Sequence, residues 1–210
     1  MSLEEFQRAF ADLISSPERS LAVRHDPDTV LTGFDLTQRE RRRLTRMVSD
    51  PGMSINCTLF RVNRLTPVYS VLPLTCAILG HRLLPELEAF WASCEEATLQ
   101  YRREAWRFGR WLQQRITSRI LDGGPIEDAI QFELAAFDVR TAARHVAHDQ
   151  GPNEHPRKRV LRFTYDPCLV LDPTTDWSSL EPLPHQELVL LDATSGDLEV
   201  HRLHAGIATE

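Results

Sequence analysis

Three histidines are the nearest thing in this chain to a metal-ligand set: His145 and His148 lie three apart near the end of a helical pattern, and His155 follows in a polar loop. Imidazoles at i and i+3 of a helix share a face, but a working site also wants a carboxylate or thiolate at matching spacing. None stands beside them, so solvated histidines near a helix C-terminus are the expected reading. His201 and His204 fall in a strand pattern, where a separation of three puts them on opposite faces. Glu133 shares a turn with apolar Ile130 and Phe137. It reads either as a catalytic carboxylate or as the structural partner of an arginine elsewhere in a helical bundle. The sequence has no G-x-G-x-x-G, no P-loop lysine motif, no H-E-x-x-H and no G-x-S-x-G. The expectation is therefore a chain with no catalytic residue, no metal ligand and no cofactor of its own.

Arginine is the other residue type with chemical potential. Arg39, Arg41, Arg42, Arg43 and Arg46 crowd one helix headed by Thr37-Gln38-Arg39-Glu40, a capping box in which threonine and glutamate satisfy each other's backbone amides. Such a face is solvated, or meets an acidic partner, or contacts nucleic acid. The chain has 24 basic and 30 acidic residues, net −6. DNA readers are usually basic over the whole domain, so a protein partner meeting Arg42 and Arg46 ranks first, and a DNA-binding or transcriptional accessory role through the Arg39–Arg46 helix is the alternative. Arg61, Asn63 and Arg64 are polar residues set in an apolar helical run. They either hydrogen-bond the ends of neighbouring helices or reach a partner interface.

These residues need elements to hold them. The stretch from Gly52 to Trp91 reads as buried helix, with Ile55, Leu59, Val62, Leu65, Val68, Val71, Leu74, Ile78 and Leu79 at helical spacing and Pro67, Pro73 and Pro85 dividing it into short helices. Gly80 closes the middle one. Before it, residues 3–16 predict a helix on Phe6, Phe10, Leu13 and Ile14, and the run to Leu36 predicts a mostly extended connection. After it, a long helix over Ala97–Leu121 has the stripe Tyr101, Ala105, Phe108, Leu112, Ile116 and Ile120, with Trp106 and Trp111 beside it. Gly123-Gly124-Pro125 starts the next helix, with Glu127 and Asp128 in its first turn and Ile126, Ile130, Leu134 and Phe137 as its stripe.

Asp149–Arg157, rich in proline, glycine and polar residues, is the linker. Beyond it the periodicity becomes alternating. Val160–Tyr165 puts Leu161, Phe163 and Tyr165 on one face, Glu187–Leu191 reads as a strand buried on both faces, and Leu198–Leu203 is a third strand behind a Thr194-Ser195-Gly196-Asp197 turn. The fold class is thus α+β: an N-terminal all-helical domain over 1–148 and a small antiparallel sheet of about three strands within 149–210.

Composition agrees. No apolar run approaches the length of a membrane span, and the acidic, amphipathic N-terminus is no export signal, which predicts a soluble cytoplasmic protein. Cys57, Cys76, Cys94 and Cys168 form no C-x-x-C pair, so reduced thiols are expected, the first three as helical core. Residues 1–120 hold 17 basic and 14 acidic side chains, whereas 121–210 hold 7 and 16, net −9. The two parts suit different partners.

The run Leu59-Phe60-Arg61-Val62-Asn63-Arg64, followed by Leu72-Pro73, Gly80 and Phe90-Trp91, resembles the partner subunits of multinuclear non-heme iron oxidative enzymes in peptide natural-product pathways. With Arg41-Arg42-Arg43-Leu44 and Asn56-Cys57-Thr58-Leu59, it is most similar to the C subunits of methanobactin-biosynthesis pairs. The resemblance covers about the first two thirds of the chain, and Phe60 stands where such proteins often have tyrosine. It implies a non-catalytic subunit in a heterodimer with an iron-dependent oxidase. That subunit presents a cysteine of a precursor peptide for conversion to oxazolone and thioamide in the making of a copper chelator. A small subunit of another iron dioxygenase is a further possibility. On this reading Arg42, Arg46, Arg61, Asn63 and Arg64 form the partner interface, and the iron belongs to the partner.

The sheet is the expected peptide-recognition element. Unpaired amides and carbonyls along Leu198, Glu199, Val200, His201, Arg202 and Leu203 can take an extended peptide as a further strand if that strand lies at an edge. The acidic surroundings favour a basic precursor (leader) peptide. With no credible ligand cluster, the purified chain is expected to bind no stoichiometric iron; tight metal binding lost on replacing His145 and His148 is the contrary result.

Overall fold

Proline and short polar caps organise the N-terminal third more tightly than the sequence reading allows. The computed structural model describes residues 3–94, 101–146 and 157–203. These divide into two compact units, Met1–Thr66 and Pro67–Glu210.

In the first unit, helix α1 (Leu3–Ser15) is followed by α2 (Pro17–His25) and α3 (Pro27–Val30) in place of the expected extended connection. Ser16 and Asp26 supply the reason. Each side chain accepts a backbone N–H from the first turn of the following helix, Arg19 for Ser16 and Thr29 for Asp26, with proline preset just inside the start. Helix α4 (Gln38–Ser49) begins on the predicted capping box: the Glu40 amide donates to Thr37 Oγ1 at 3.3 Å and the Thr37 amide donates to Glu40 at 2.8 Å. Ala9, Leu13, Val23, Leu31, Leu44, Val48, Met53 and Cys57 close this unit's core.

Helix α5 (Pro51–Val71) departs twice from expectation. Pro67 sits inside it without ending it. The lost donor would have served the carbonyl of Asn63, which is on an exposed turn open to water, while Pro67 and Val68 are buried. Its first half also leaves Ile55, Leu59 and Val62 at 61, 53 and 47% exposure, so these three line an open face and not the expected core.

The second unit holds α6 (Pro73–Leu79), α7 (Leu83–Ser93), α8 (Tyr101–Thr117), α9 (Pro125–Val146) and the short α10 (Pro167–Val170). Gly80 ends α6 at φ 53°, a left-handed conformation glycine adopts cheaply. Pro85 falls in the first turn of α7, where a missing donor costs little. Phe90, Phe108 and Trp111 pack together with ring centroids 5.3 to 6.1 Å apart. Helix α8 ends sooner than its apolar pattern suggests. Arg119 takes φ 57°, which turns Ile120 out to 62% exposure and puts Leu121 into the core instead. Trp106 is 41% exposed.

Three antiparallel strands follow, β1 (Lys158–Phe163), β2 (Glu187–Asp192) and β3 (Glu199–Leu203), in the order β1-β2-β3. This is the α+β architecture read from the sequence. Leu161, Phe163, Val189 and Leu191 are buried with Ala129, Ala135 and Ala136 of α9. Strand β2 is therefore covered on one face only. Leu188 is exposed and Leu190 half-buried, contrary to the expectation of a strand enclosed on both sides. The β2–β3 turn carries Gly196 at φ 103°, and Asp192 accepts both the Thr194 amide and its hydroxyl. The linker 149–157 and the expected domain boundary after residue 148 fall almost wholly outside the described residues, as do Ala97 to Gln100.

Replacing Thr37 with alanine removes the acceptor at the start of α4. It is expected to lower stability by about 1 kcal/mol, with the loss visible as faster amide exchange in the first turn of α4.

Candidate functional site: a free sheet edge and two arginine surfaces

Pairing phase decides which backbone groups of the sheet remain available. Ala193 N–H donates to the Arg157 carbonyl at 2.9 Å. Antiparallel ladders alternate, so Arg159, Leu161 and Phe163 exchange hydrogen bonds with β2, while Lys158, Val160 and Arg162 turn their amides and carbonyls to the far side. The same alternation through β2 assigns Glu199, His201 and Leu203 to the pairing with β2. It leaves Val200 and Arg202 facing outward. Glu199–Leu203 thus form one rim of the described sheet, with only alternate residues turned outward, while Leu198 precedes the strand and packs half-buried against the core.

The side chains around β3 are polar and ionic. Arg202 forms ion pairs with Glu187 and with Asp166, the latter at 3.7 Å. His201 Nε2 lies 3.2 Å from Glu199 Oε2. Lys158 pairs with Asp192 at 2.6 Å across β1 and β2. That ammonium and the Thr194 donors hold the Asp192 carboxyl well below the usual carboxylate range.

The predicted interface arginines separate into different settings. Arg42 and Arg46 are exposed on α4, as is Arg39, whereas Arg41 donates to the Phe34 and Leu36 carbonyls and Arg43 lies over the Phe6 ring at 5.6 Å. Arg61 reaches Glu18 at 3.4 Å from α5. Asn63 is exposed. Arg64 is buried at 5% exposure, 5.8 Å above the Phe60 ring, which makes it a packing residue. Arg61 and Asn63 point to different sides of α5, Arg61 toward Glu18 of α2, and neither lies in the stripe of Ile55, Leu59 and Val62; Arg64 is buried.

Glu133 is a structural anchor. Its carboxylate accepts the Leu74 amide at 2.6 Å, the Thr75 amide at 3.0 Å and the Thr75 hydroxyl at 2.6 Å. Leu72, at the cap position of α6, supplies no side-chain hydrogen bond. Glu133 caps that helix from α9, and no arginine is needed to hold it. Burial pushes its pKa up to about 7, against the three donors that favour the charged form. Burial, and then the Glu133 charge, pushes the nearby Cys76 thiol up to about 12. Asp128, one and a half turns earlier on α9, accepts the Thr164 and Tyr165 amides at 2.8 and 2.9 Å. In the sequence Asp128 stands out only as a first-turn acid, because its partners lie 36 and 37 residues away.

Cys57 and Cys76 are buried, Cys94 is half-buried and Cys168 exposed, all as free thiols. Among the described residues no group of three or more histidine, cysteine or acidic side chains converges on a metal position. The side chains of His145, His148, His155 and His204 lie outside the described residues. No single helix among the described residues is long and apolar enough to cross a membrane. The chain matches no family model, no curated protein and no solved structure.

Replacing Glu133 with leucine strands two α6 amides and is expected to cost about 3 kcal/mol in denaturant unfolding. The wild-type carboxyl has its folded pKa raised from 4.5 to about 7. Its contribution is thus fully present below the unfolded pKa and lost as pH rises through the folded value. Stability should fall between roughly pH 4.5 and 7, and Glu133→Gln should flatten that slope.

Proposed function

We propose that this chain is a non-catalytic subunit that binds a basic precursor peptide and presents it to a separate iron-dependent oxidase. The observation that carries the reading is the rim of β3, where Val200 and Arg202 turn amides and carbonyls outward with no strand beside them among the described residues, on the more acidic part of the chain. A peptide added there completes the ladder, and alternate side chains set its specificity. The resemblance of Leu59–Arg64, Leu72-Pro73, Gly80 and Phe90-Trp91 to partner subunits of methanobactin-type oxidases supports the chemistry. The oxidase carries the iron and converts a cysteine of the peptide to oxazolone and thioamide.

The helical surface suits the enzyme. Ile55, Leu59 and Val62 form an exposed apolar stripe on α5, and Arg42 and Arg46 are exposed on α4. Apolar area supplies affinity at such a contact, while exposed arginines steer an acidic partner.

Two measurements test this. Charge reversal at Arg42 or Arg46 should weaken the complex with the oxidase about tenfold at low salt and less at high salt. If reversal instead abolishes retention on DNA and leaves a protein complex intact, the Arg39–Arg46 helix is a nucleic-acid surface. Calorimetry of the isolated chain with a lysine- and arginine-rich leader peptide should show binding that weakens with salt and that N-methylation at alternate peptide positions abolishes. Binding indifferent to N-methylation moves recognition to the helices.

A further inference from the structure

Helices α2 and α5 of the first unit border a cavity of about 260 Å³. Ser20, Leu21 and Arg24 line it from α2, and one face of α5 lines it over two turns, from Met53 to Arg61. That face lies about a third of a turn round α5 from the exposed stripe of Ile55, Leu59 and Val62. The cavity is therefore distinct from the surface proposed for the oxidase.

Most of the uncharged polar groups in the lining are already engaged. Ser20 donates to the Leu13 carbonyl at 2.5 Å, the Cys57 thiol meets the same carbonyl at 3.7 Å, and Thr58 donates to the Ser54 carbonyl at 3.0 Å. What remains for a ligand is chiefly apolar: the side chains of Met53 and Leu21 and the Cys57 sulfur. Leu21 is 53% exposed, so part of this apolar wall faces water in the chain alone.

The charged residues of the lining are both arginines. Arg24 Nε donates to the Val48 carbonyl at 2.7 Å, which holds the guanidinium in place, and its terminal nitrogens meet no protein acceptor among the described residues. Arg61 pairs at 3.4 Å with Glu18, an exposed carboxylate outside the lining. Asp50, at the start of α5, also lies outside it and accepts the Gly52 amide at 2.7 Å. The lining itself thus has two positive charges and no negative one, and Glu18 offsets one of the two. A polyol finds few free hydrogen-bond partners here, a cation is repelled, and a dianion exceeds the local charge. A monoanion with an apolar body satisfies both the arginines and the apolar wall.

The volume equals about nine waters at roughly 30 Å³ each, the size of a carboxylate of some ten non-hydrogen atoms. We propose that this cavity binds a small aliphatic monocarboxylate, its carboxylate between Arg24 and Arg61 and its chain over Leu21, Met53 and Cys57. This goes beyond the peptide-presenting reading and does not depend on it.

The full-length chain with isotope-labelled methionine methyls, titrated with octanoate below its micelle-forming range and in parallel with octanol and octylammonium, tests the proposal. The expected result is a saturable shift of the Met53 methyl with octanoate while Met47, outside the lining, stays in place. Octanoate should bind about tenfold more tightly than octanol, the size of one charge-assisted pairing, and octylammonium should not saturate. Arg61→Gln and Arg24→Gln should each bring octanoate close to octanol. Thr58→Trp, at an exposed position of the lining, should abolish the Met53 shift in a chain whose other methyl signals remain those of the folded protein. Equal affinity for octanoate and octanol would overturn the assignment, as would octanoate binding unchanged in Arg61→Gln. So would an absent Met53 shift, or equal shifts of Met47 and Met53. None of these outcomes touches the β3 rim.

Discussion

A carboxylate buried on α9 and turned onto the first amides of α6 is the constraint on which the second unit depends. Among the described residues Glu133 meets no cationic partner; two backbone amides and one hydroxyl donate to it. Such an acceptor is costly to bury alone, and the amides it meets are costly to leave unmet, so each requires the other. Asp128 repeats the device on the same helix at the end of β1. One helix thereby fixes both a neighbouring helix start and the exit of the first strand. The apolar packing of Ala129, Ala135 and Ala136 against Leu161, Phe163 and Val189 fills the space between these two anchors.

How far the sequence reveals this depends on the range of the interaction. The capping box at Thr37 and Glu40 is a local pattern and is legible residue by residue. The hairpin at Gly196 and the alternating strands are also local. The helices at Pro17 and Pro27 escape a reading that takes proline as a breaker, since the same residue following Ser16 or Asp26 starts a helix. Pro67 misleads in the other direction, because one missing donor on a solvated turn does not outweigh the burial of Val68, Val71 and Leu72. Glu133 stands out in the sequence as a carboxylate among apolar residues, yet its partners lie 58 and 59 positions away and no spacing rule names them.

The candidate site shows the same division. Leu198–Leu203 is recognisable as a strand, but which of its amides are free follows only from the phase of pairing, set by contacts to a strand some ten residues earlier. Among the arginines, type and spacing alone cannot separate Arg64, folded over Phe60, from Arg61 at the surface three residues away. The exposed stripe Ile55, Leu59 and Val62 is the more telling feature. Core spacing without burial marks a face that is energetically incomplete when the chain is alone, since apolar helix area of this kind gains about 25 cal/mol for each Å² a partner covers. The acidic 121–210 region and the arginine-bearing helices suit different ligands.

We propose that this chain works as the peptide-bearing half of a heteromeric iron enzyme. It is tested most directly by co-expressing it with the candidate oxidase and measuring mass and iron content of the purified species by light scattering and elemental analysis. The expected result is a stoichiometric complex whose iron stays with the oxidase when the two are separated by salt. A chain that elutes alone under the mildest conditions, or that retains the iron after separation, contradicts it.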